Sequence, residues 1–478
     1  MTKPDLRTEH DPLGPVRVPA DAYWGANTAR AIANFPVTGR PINTLPGLVH
    51  ALAAVKQACA AANAEMGLLK PVLADAIVRA CIDVRHGRLD EHFVVDVVQG
   101  GAGTSTNMNA NEVIANRALE LLGCPRGEAA VLSPNDHVNL SQSTNDTYPT
   151  AIRVGLYREC DKLLDSLAHL ARAFILKAEA FDDVIKMGRT QLQDAVPMTL
   201  GQELRACGVT ISAARERLTE ARTLLCEVNL GGTAIGTGIN TITGYGELAC
   251  QHLAQIAGVP VRPATDLIEA TQDVGALVQL SSILKGTAAK LSKICNDLRL
   301  LSSGPDAGFA DIRLPAVQAG SSIMPGKVNP VLPELVNQIA FLIIGRDVTI
   351  TLAAEAGQLQ LNPFEPVIAL SLFDSVSELA TGCRLLADRC VSGIDSDADR
   401  LAARVQGATA LVTALTPLLG YKAATTIART SHATGQPIRQ VLATGPIPAA
   451  VIDELIRDPV RLTKPSPSLT AAHASQPM

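Results

Sequence analysis

Residues 277–298, LVQLSSILKGTAAKLSKICNDL, decide the fold class. Apolar side chains recur there in steps of three and four, with Thr287 in the one gap: Leu277, Leu280, Leu284, Leu291, Ile294 and Leu298. Residues three and four apart lie on the same side of an α-helix, so this spacing predicts a long amphipathic helix with one apolar face. A helix of this length needs neighbours that bury that face along several turns.

The same pattern recurs along the chain. A second stretch places its apolar residues at Leu156, Cys160, Leu163, Leu167, Leu170 and Phe174. Comparable segments at about 197–228, 330–356 and 364–392 each exceed about 25 residues, which is longer than the usual helix of a globular protein. Aromatic residues make up only 3% of the chain, which favours packed helices over sheets. The sequence therefore predicts a mainly α-helical protein with a bundle of five long helices at its centre.

Shorter segments flank the predicted bundle and divide the chain. Residues 1–140 contain helical segments at about 47–66, 70–88 and 109–123 between Pro- and Gly-containing loops, which indicates an N-terminal, mostly helical domain. The bundle domain then spans 141–393, and a small helical C-terminal domain spans 394–462. Residues 463–478, which are rich in Ser, Pro and Ala, predict a disordered tail.

Composition and charge narrow the function classes. The 478 residues have a net charge of −5 and no run of five like charges, so neither nucleic acid nor a membrane surface is an expected partner. The ten cysteines lack a CxxC pair and metal-ligand spacing, so we expect reduced, buried thiols and no metal. The charged N-terminus does not resemble a signal peptide, and apolar runs such as 339–345 are too short to cross a bilayer. We expect a cytoplasmic protein that acts on a small molecule.

Polar, mostly uncharged clusters precede four of the predicted helices: QGGAGTSTNMNANE at 99–112, SQSTND at 141–146, GRTQLQDAVP at 188–197 and GSSIMPGKVNP at 320–330. Helix N-termini offer unpaired N–H groups and a partial positive charge, so several of them together could bind a multiply charged anion. Helix capping is the better explanation of any one cluster alone, as with Asn329 and Pro330 ahead of the next helix, but four such clusters in one chain weaken it.

The cluster at 320–330 is the most informative of the four. Two serines, one lysine and several Gly and Pro residues describe a mobile loop that places a reactive hydroxyl beside a cation. A Schiff-base role for Lys327 has no other support in the sequence, and a serine hydrolase is excluded by the lack of a GxSxG elbow.

GSSIMPGKVNP resembles the signature of the aspartase/fumarase superfamily. Further segments follow the family's order over about residues 10–455: GGAGTSTNMNANEV, SPNDHVNLSQSTND, GRTQLQDAVPMTLGQE, LGGTAIGTGIN, KICNDLRLLSSGP and EAGQLQLNPFEPVI. The resemblance implies three mostly helical domains, a homotetramer with active sites drawn from three chains, and a lyase reaction that uses no cofactor or metal. On the aspartase branch it implies the reversible elimination of ammonia from L-aspartate to give fumarate.

The resemblance also implies roles for individual residues. Ser321 would be the base that removes the proton next to the β-carboxylate, giving an aci-carboxylate intermediate. Hydroxyls and backbone donors at Thr104, Ser143, Thr144 and Ser322 would hold this intermediate. Lys327, Asn329 and Thr190 would bind the α-carboxylate, and Asn145 would lie near the amino group. A serine alkoxide is a strong base that needs stabilisation, which helix ends and Lys327 could supply.

Gln191 bears on which branch the chain resembles. Fumarases typically have histidine at this position, where it serves the departing water, whereas ammonia needs less acid assistance. STND and EAGQLQLN also look like aspartase. Trp24-Gly25-Ala26 is closer to fumarase, Asn27 matches neither branch, and Asp306 replaces a common arginine. A class II fumarase and a catalytically inactive helical homologue remain the alternatives.

Overall fold

The computed structural model describes residues 5–443 and 459–464. The chain forms two compact units: one contains the chain up to residue 165 with 214–289 and 339–381, and the other contains 166–213, 290–338 and the chain from 382 onward. We call these the first and the second unit. The three-domain division made from the sequence stays a prediction, and the predicted tail lies outside the described residues except for Thr463 and Lys464.

The N-terminal part of the chain contains one antiparallel hairpin and four helices. They are β1 (Leu6–Asp11), β2 (Gly14–Pro19), α1 (Ala26–Asn34), α2 (Pro46–Glu65), α3 (Pro71–Arg85) and α4 (Thr104–Leu121). A short π-helix follows at Pro134–Val138. The predicted helices at 47–66 and 70–88 are confirmed, and the one at 109–123 begins earlier, at Thr104, directly after a glycine-rich turn.

Five long helices form the middle of the chain, with short strands between them. The elements are α5 (Thr144–Ala180), β3 (Ile185–Thr190), β4 (Gln193–Thr199), α6 (Leu200–Arg222), β5 (Glu227–Val228), α7 (Tyr245–Ala257), β6 (Arg262–Pro263), α8 (Leu267–Gln272), α9 (Gly275–Leu301), α10 (Val331–Glu355) and α11 (Glu365–Arg389). Strands β3 and β4 pair antiparallel, whereas β5 and β6 pair parallel. Within the described residues, four shorter helices follow: α12 (Ala398–Gly407), α13 (Leu411–Leu419), α14 (Tyr421–Thr434) and α15 (Ile438–Ala443).

The apolar stripes that predicted the long helices are buried. The six leucine and isoleucine positions of α9 are all no more than 3% exposed, and Thr287 in the gap is 4% exposed. Leu156, Cys160 and Leu163 of α5 are fully buried as well. The mainly helical fold predicted from the sequence is therefore confirmed.

The C-terminal helices of the second unit share a core with the β3–β4 hairpin. Ile185 and Met187 of β3 pack in one apolar cluster with residues of α12 to α15. This cluster includes Val405, Leu411, Val412, Ala424, Ile427, Ile438, Val441 and Leu442. The position of the hairpin consequently depends on the packing of these four helices.

Helix α10 buries only part of its apolar surface. Phe341, Leu342, Val348 and Leu352 are each more than half exposed in the single chain. By length and composition this helix could cross a membrane, which the shorter runs considered in the sequence did not suggest. However, its Arg346 pairs with Glu378 and its Asp347 pairs with Lys285. Charged pairs with neighbouring helices are typical of a helix inside a protein bundle.

Close helix packing at Gly155 gives a first prediction. A Cβ atom at this position of α5 would lie 2.8 Å from the Gly47 carbonyl oxygen and 2.8 Å from Phe373 Cζ. We expect Gly155→Ala to destabilise the protein by about 1–3 kcal/mol through overpacking, measured as a lower thermal midpoint. Gly407→Ala is the control, since a Cβ there would meet no atom within 4 Å. Equal midpoints for the two variants would contradict this account.

Candidate active site

The glycine-rich segment before α4 turns the chain sharply. Gly101, Ala102 and Gly103 have φ angles of 92°, 54° and 84°, and a Cβ on Gly103 would lie 2.4 Å from the Tyr148 ring. Thr104 follows as the first residue of α4, with its side chain exposed. Its Oγ1 donates a hydrogen bond to the Gly101 carbonyl at 2.7 Å. The predicted site residue Thr104 thus lies at a helix N-terminus that the turn leaves open to solvent.

The predicted residues Ser143, Thr144 and Asn145 form the start of α5 in the same unit. Ser143 Oγ accepts a hydrogen bond from the Asn145 N–H, while the Ser143 N–H donates to Asp146 Oδ1 at 3.0 Å, as in a capping box. Thr144 Oγ1 accepts from Asn107 Nδ2 of α4 at 3.0 Å. The structure therefore brings the start of α5 against α4.

Asp146 joins the start of α5 to a distant loop. Its Oδ2 accepts hydrogen bonds from the N–H groups of Gly231 and Thr233 at 3.1 and 3.0 Å. Complete burial raises the pKa of this carboxyl to about 6, although its backbone donors oppose the rise. Asn145 Nδ2 donates to the Ala234 carbonyl of the same loop at 2.7 Å. The sequence of this loop, LGGTAIGTGIN, is similar to the family's but predicts no role for it in the site.

A buried lysine binds the segment that precedes α5. Lys56 of α2 is fully buried and donates to Asn139 Oδ1 at 2.9 Å and to Gln142 Oε1 at 3.0 Å. Burial lowers the pKa of its amine to about 8. The sequence analysis did not single out Lys56. A lysine within the Ala-rich helix before Gly67 was the available signal, because a lysine on a buried helix needs polar partners.

The loop at 320–330 belongs to the second unit and holds Ser321 in a tight turn. Ser321 Oγ accepts hydrogen bonds from the N–H groups of Ile323 and Met324 at 3.2 and 3.0 Å. Donors that point at an oxygen favour its anionic form, so these two amides would stabilise a serine alkoxide. The predicted residues Ser322 and Lys327 are exposed on this loop.

The ends of this loop are closed by Gly320 and Asn329. Asn329 Nδ2 donates to the Gly320 carbonyl at 2.6 Å, and a Cβ on Gly320 would lie 2.1 Å from the Lys327 carbonyl oxygen. The sequence predicts Asn329 as the N-cap of the next helix, but in the structure its amide closes the loop and α10 begins at Val331. Loop closure needs a side-chain donor here, which the capping pattern did not indicate.

The other predicted residues of the second unit, Thr190 and Gln191, lie at the tip of the β3–β4 hairpin. Thr190 pairs with Gln193, so Gln191 and Leu192 are the two turn residues, with φ angles of 53° and 62°. Positive φ at both positions matches a type I′ turn, which favours Asn and Gly. Left-handed backbone costs other residues about 1–2 kcal/mol each, so the turn holds Gln191 under strain.

Asp311 anchors this hairpin. The carboxylate is 1% exposed and lies within 3.1 Å of the charged nitrogens of Lys186, Arg189 and Arg404. Burial opposes its ionisation, but the hydrogen bond from Arg189 and the nearby Lys186 charge keep the pKa below its usual value. Arg189 directly precedes Thr190, so the carboxylate fixes the strand that ends in the strained turn. The role of Asp311 was not predictable from the sequence because its partners lie far from it along the chain.

Comparisons with known proteins agree with this geometry. Residues 14–345 match the family model described as lyase, and residues 411–464 match the model of the fumarase C C-terminus. The chain belongs to the aspartase/fumarase superfamily of lyases.

Members of this superfamily resemble the chain over nearly its whole length. The aspartate ammonia-lyase of Pseudomonas canavaninivorans is 56% identical over 454 residues, which cover 95% of this chain and 96% of that protein. The aspartate ammonia-lyase of Escherichia coli K12 is 49% identical over 453 residues, which cover 94% and 95%.

Solved structures of superfamily members share the fold. The fumarate lyase:delta crystallin from Brucella melitensis bound to cobalt has a TM-score of 0.94 and 51% identity, covering 96% of this chain and all of that one. The class II fumarase from Schistosoma mansoni has a TM-score of 0.91 and 36% identity, covering 96% and 99%.

The residues at Trp24–Asn27, which depart from the superfamily pattern, contact a buried carboxylate. Glu112 of α4 is 2% exposed and accepts hydrogen bonds from the N–H groups of Gly25 and Asn27 and from the Asn27 side chain. Asn27 therefore stabilises a buried carboxylate through hydrogen bonds from its backbone and its side chain. Asp306 is exposed, and nothing in the structure explains its difference from the usual arginine.

The strained turn gives a second prediction. Gln191→Gly removes the cost of positive φ, so we expect an unchanged or higher thermal midpoint. If Gln191 contacts the substrate, as the sequence predicts, the loss of its side chain should also lower kcat/KM at least tenfold. Gln193→Gly is the matched control: this residue lies in β4, and glycine there should lower stability by about 1 kcal/mol. A clear loss of stability in Gln191→Gly would show that the turn is not strained.

Proposed function

We propose that this protein is an aspartate ammonia-lyase, which reversibly eliminates ammonia from L-aspartate to give fumarate. The observation that carries the proposal is the sequence identity of the chain to aspartate ammonia-lyases, 56% and 49% over nearly its full length. This identity exceeds the 36% identity to the class II fumarase. Gln191, at the position where fumarases typically have histidine, supports the same choice.

Ser321 is the proposed base. Its alkoxide would take the proton from the carbon next to the β-carboxylate, and the electron pair would move into that carboxylate to form the aci-carboxylate. The intermediate carries more negative charge than the substrate, so donors fixed in place stabilise it selectively. Thr104, Ser143, Thr144 and Ser322 are the proposed donors.

Collapse of this intermediate expels the amine and forms the double bond of fumarate. Lys327, Asn329 and Thr190 are the proposed ligands of the α-carboxylate. Asn145 would lie near the amino group, and Gln191 is a further proposed substrate-binding residue. The exposure of Thr104, Thr190 and Lys327 is compatible with direct contact to a substrate.

We further propose a homotetramer whose active sites combine residues from three chains. The apolar surface of α10 supports this, since Phe341 and Leu352 are 61% and 62% exposed in one chain. Exposed apolar side chains clustered along one helix are typical of an interface between subunits. The expected partners are L-aspartate, fumarate and ammonia, and we place the enzyme in the cytoplasm.

The third prediction separates aspartase from fumarase. We expect the purified protein to form fumarate from L-aspartate, and to form it from L-malate at least a hundredfold more slowly, because Gln191 cannot protonate a departing hydroxide. Fumarate absorbance in parallel assays measures both rates. Faster turnover of malate would contradict the aspartase proposal and leave the superfamily membership intact.

The fourth prediction tests the shared active site. Ser321→Ala and Thr144→Ala should each be nearly inactive as pure proteins, with little change in thermal midpoint. Co-expression should restore activity, because random mixing of equal amounts leaves about a quarter of shared sites free of both changes. A verified mixed oligomer without activity above that of its parents would place both residues in sites formed by one chain.

A further inference from the structure

The carboxamide of Asn145 has a fixed orientation. Its Nδ2 donates to the Ala234 carbonyl at 2.7 Å, and a carbonyl oxygen can only accept, so the amide nitrogen must face Ala234. Oδ1 then points away from that loop as an acceptor, and within the described residues it has no hydrogen-bond partner. An acceptor suits an ammonium group, which only donates.

The loop that sets this orientation is itself held by Asp146. The Gly231 and Thr233 N–H groups donate to its Oδ2, and Asn229 Nδ2 donates to the Asn145 carbonyl at 2.9 Å. Asn145 therefore binds the loop 229–234 at its two ends, and Asp146 binds it between them. All of these residues belong to the first unit.

Thr233 shows that the loop conformation is imposed. Its φ is 54°, an uncommon backbone angle for a β-branched residue. Its hydroxyl is buried and has no hydrogen-bond partner in the described part of the chain. Both the backbone angle and the unpaired hydroxyl are unfavourable for folding, so the surrounding contacts must maintain them. Backbone strain of this kind clusters at functional sites.

We propose that Asp146 and the loop 229–234 are positioning elements that turn the Asn145 carboxamide so that its Oδ1 accepts a hydrogen bond from the ammonium group of the substrate. The assignment deepens the proposed function and rests on it. Asp146 does not touch the substrate in this arrangement. It acts through the Thr233 N–H, the Ala234 carbonyl and Asn145.

Among Asp146 and the titratable groups that face it, only Asp146 changes its charge between pH 5 and 7. Lys56 and Cys59 of α2 and Tyr245 and Cys250 of α7 interact with it electrostatically. Burial raises the pKa of both thiols to about 12 and that of the phenol further above its usual value, so all three stay neutral. Lys56, with a pKa of about 8, stays cationic in this range.

The test uses the reverse reaction, in which fumarate and ammonium are varied separately at pH 8. We expect Asp146→Asn to raise the KM for ammonium about tenfold, as for the loss of one hydrogen bond to a charged group, and to change the KM for fumarate less than about twofold. Equal changes in both constants, or no change in either, would overturn the proposal. A wild-type protein that forms no aspartate would instead overturn the proposed function.

Asp96→Asn is the matched control. Its carboxylate also accepts hydrogen bonds from three backbone N–H groups, those of Thr38, Gly39 and Val98, and it is 8% exposed. We expect a lower thermal midpoint and an unchanged ratio of the two KM values. A shift of that ratio in Asp96→Asn equal to the shift in Asp146→Asn would mean that general loosening, and not Asn145, causes the effect.

Coupling between the two residues provides the second measurement. If Asp146 acts through Asn145, the double variant Asn145→Ala/Asp146→Asn should have the ammonium KM of Asn145→Ala alone, whereas additive effects would overturn the proposal. The wild type and Asp146→Asn should also converge in their KM for aspartate below about pH 6, where the carboxyl is protonated. A constant difference between them down to pH 5 counts against the proposal.

If Asp146→Asn does not fold, Asn229→Ala takes its place. It removes the hydrogen bond to the Asn145 carbonyl without changing charge. A several-fold rise in the KM for ammonium alone supports the proposal, and an unchanged ratio of the two constants overturns it.

Discussion

A carboxylate removed from water must be given hydrogen-bond donors or opposite charges, and in this chain that requirement falls on Asp146 in the first unit and Asp311 in the second. Asp146 collects N–H groups from residues 143, 231 and 233, with Lys56 nearby. Asp311 collects three cations, two from β3 and one from α12. Each carboxylate fixes a segment that contains predicted site residues, Asn145 in one unit and Thr190 in the other.

The two carboxylates affect stability in opposite ways. The pKa of Asp146 is raised from 3.8 to about 6, so the folded state binds its proton more tightly than the unfolded chain does. Its contribution to stability is therefore largest below about pH 4 and is lost as pH rises through 6. Asp311 has a lowered pKa and contributes above the usual value for aspartate. An ionised Asp146 at neutral pH thus opposes folding, which is understandable if its charge serves the site.

The sequence was sufficient for the helices because each one repeats a local pattern. The stripe from Leu277 to Leu298 is a property of consecutive residues, and burial follows from it wherever the helix packs. Helix starts were less readable: SQSTND was expected just ahead of a helix, whereas α5 already begins at Thr144, and α4 begins at Thr104 instead of residue 109. The resemblance of GSSIMPGKVNP supplied the role of Ser321, and the turn around its hydroxyl is compatible with that role.

Contacts between distant segments could not be predicted in this way. The bond from Asn145 to Ala234 joins residues 89 positions apart, and that from Arg189 to Asp311 joins residues 122 apart. The positive φ at Gln191 and Leu192 was equally hidden, because neither residue type favours that conformation. Both kinds of feature depend on tertiary contacts that override local preference.

The position of the proposed base links catalysis to assembly. The Ser321 loop closes through Asn329, two residues before α10 begins, so α10 is the rigid support of the loop on that side. The same helix exposes Phe341, Leu342, Val348 and Leu352 in one chain. In the proposed tetramer, neighbouring subunits would cover these side chains and would thereby restrain the helix that supports the loop. A loop that must move to admit substrate needs such a fixed base, because flexibility in both would spread the base over many orientations. The same apolar face would then serve both the stability of the oligomer and the orientation of Ser321.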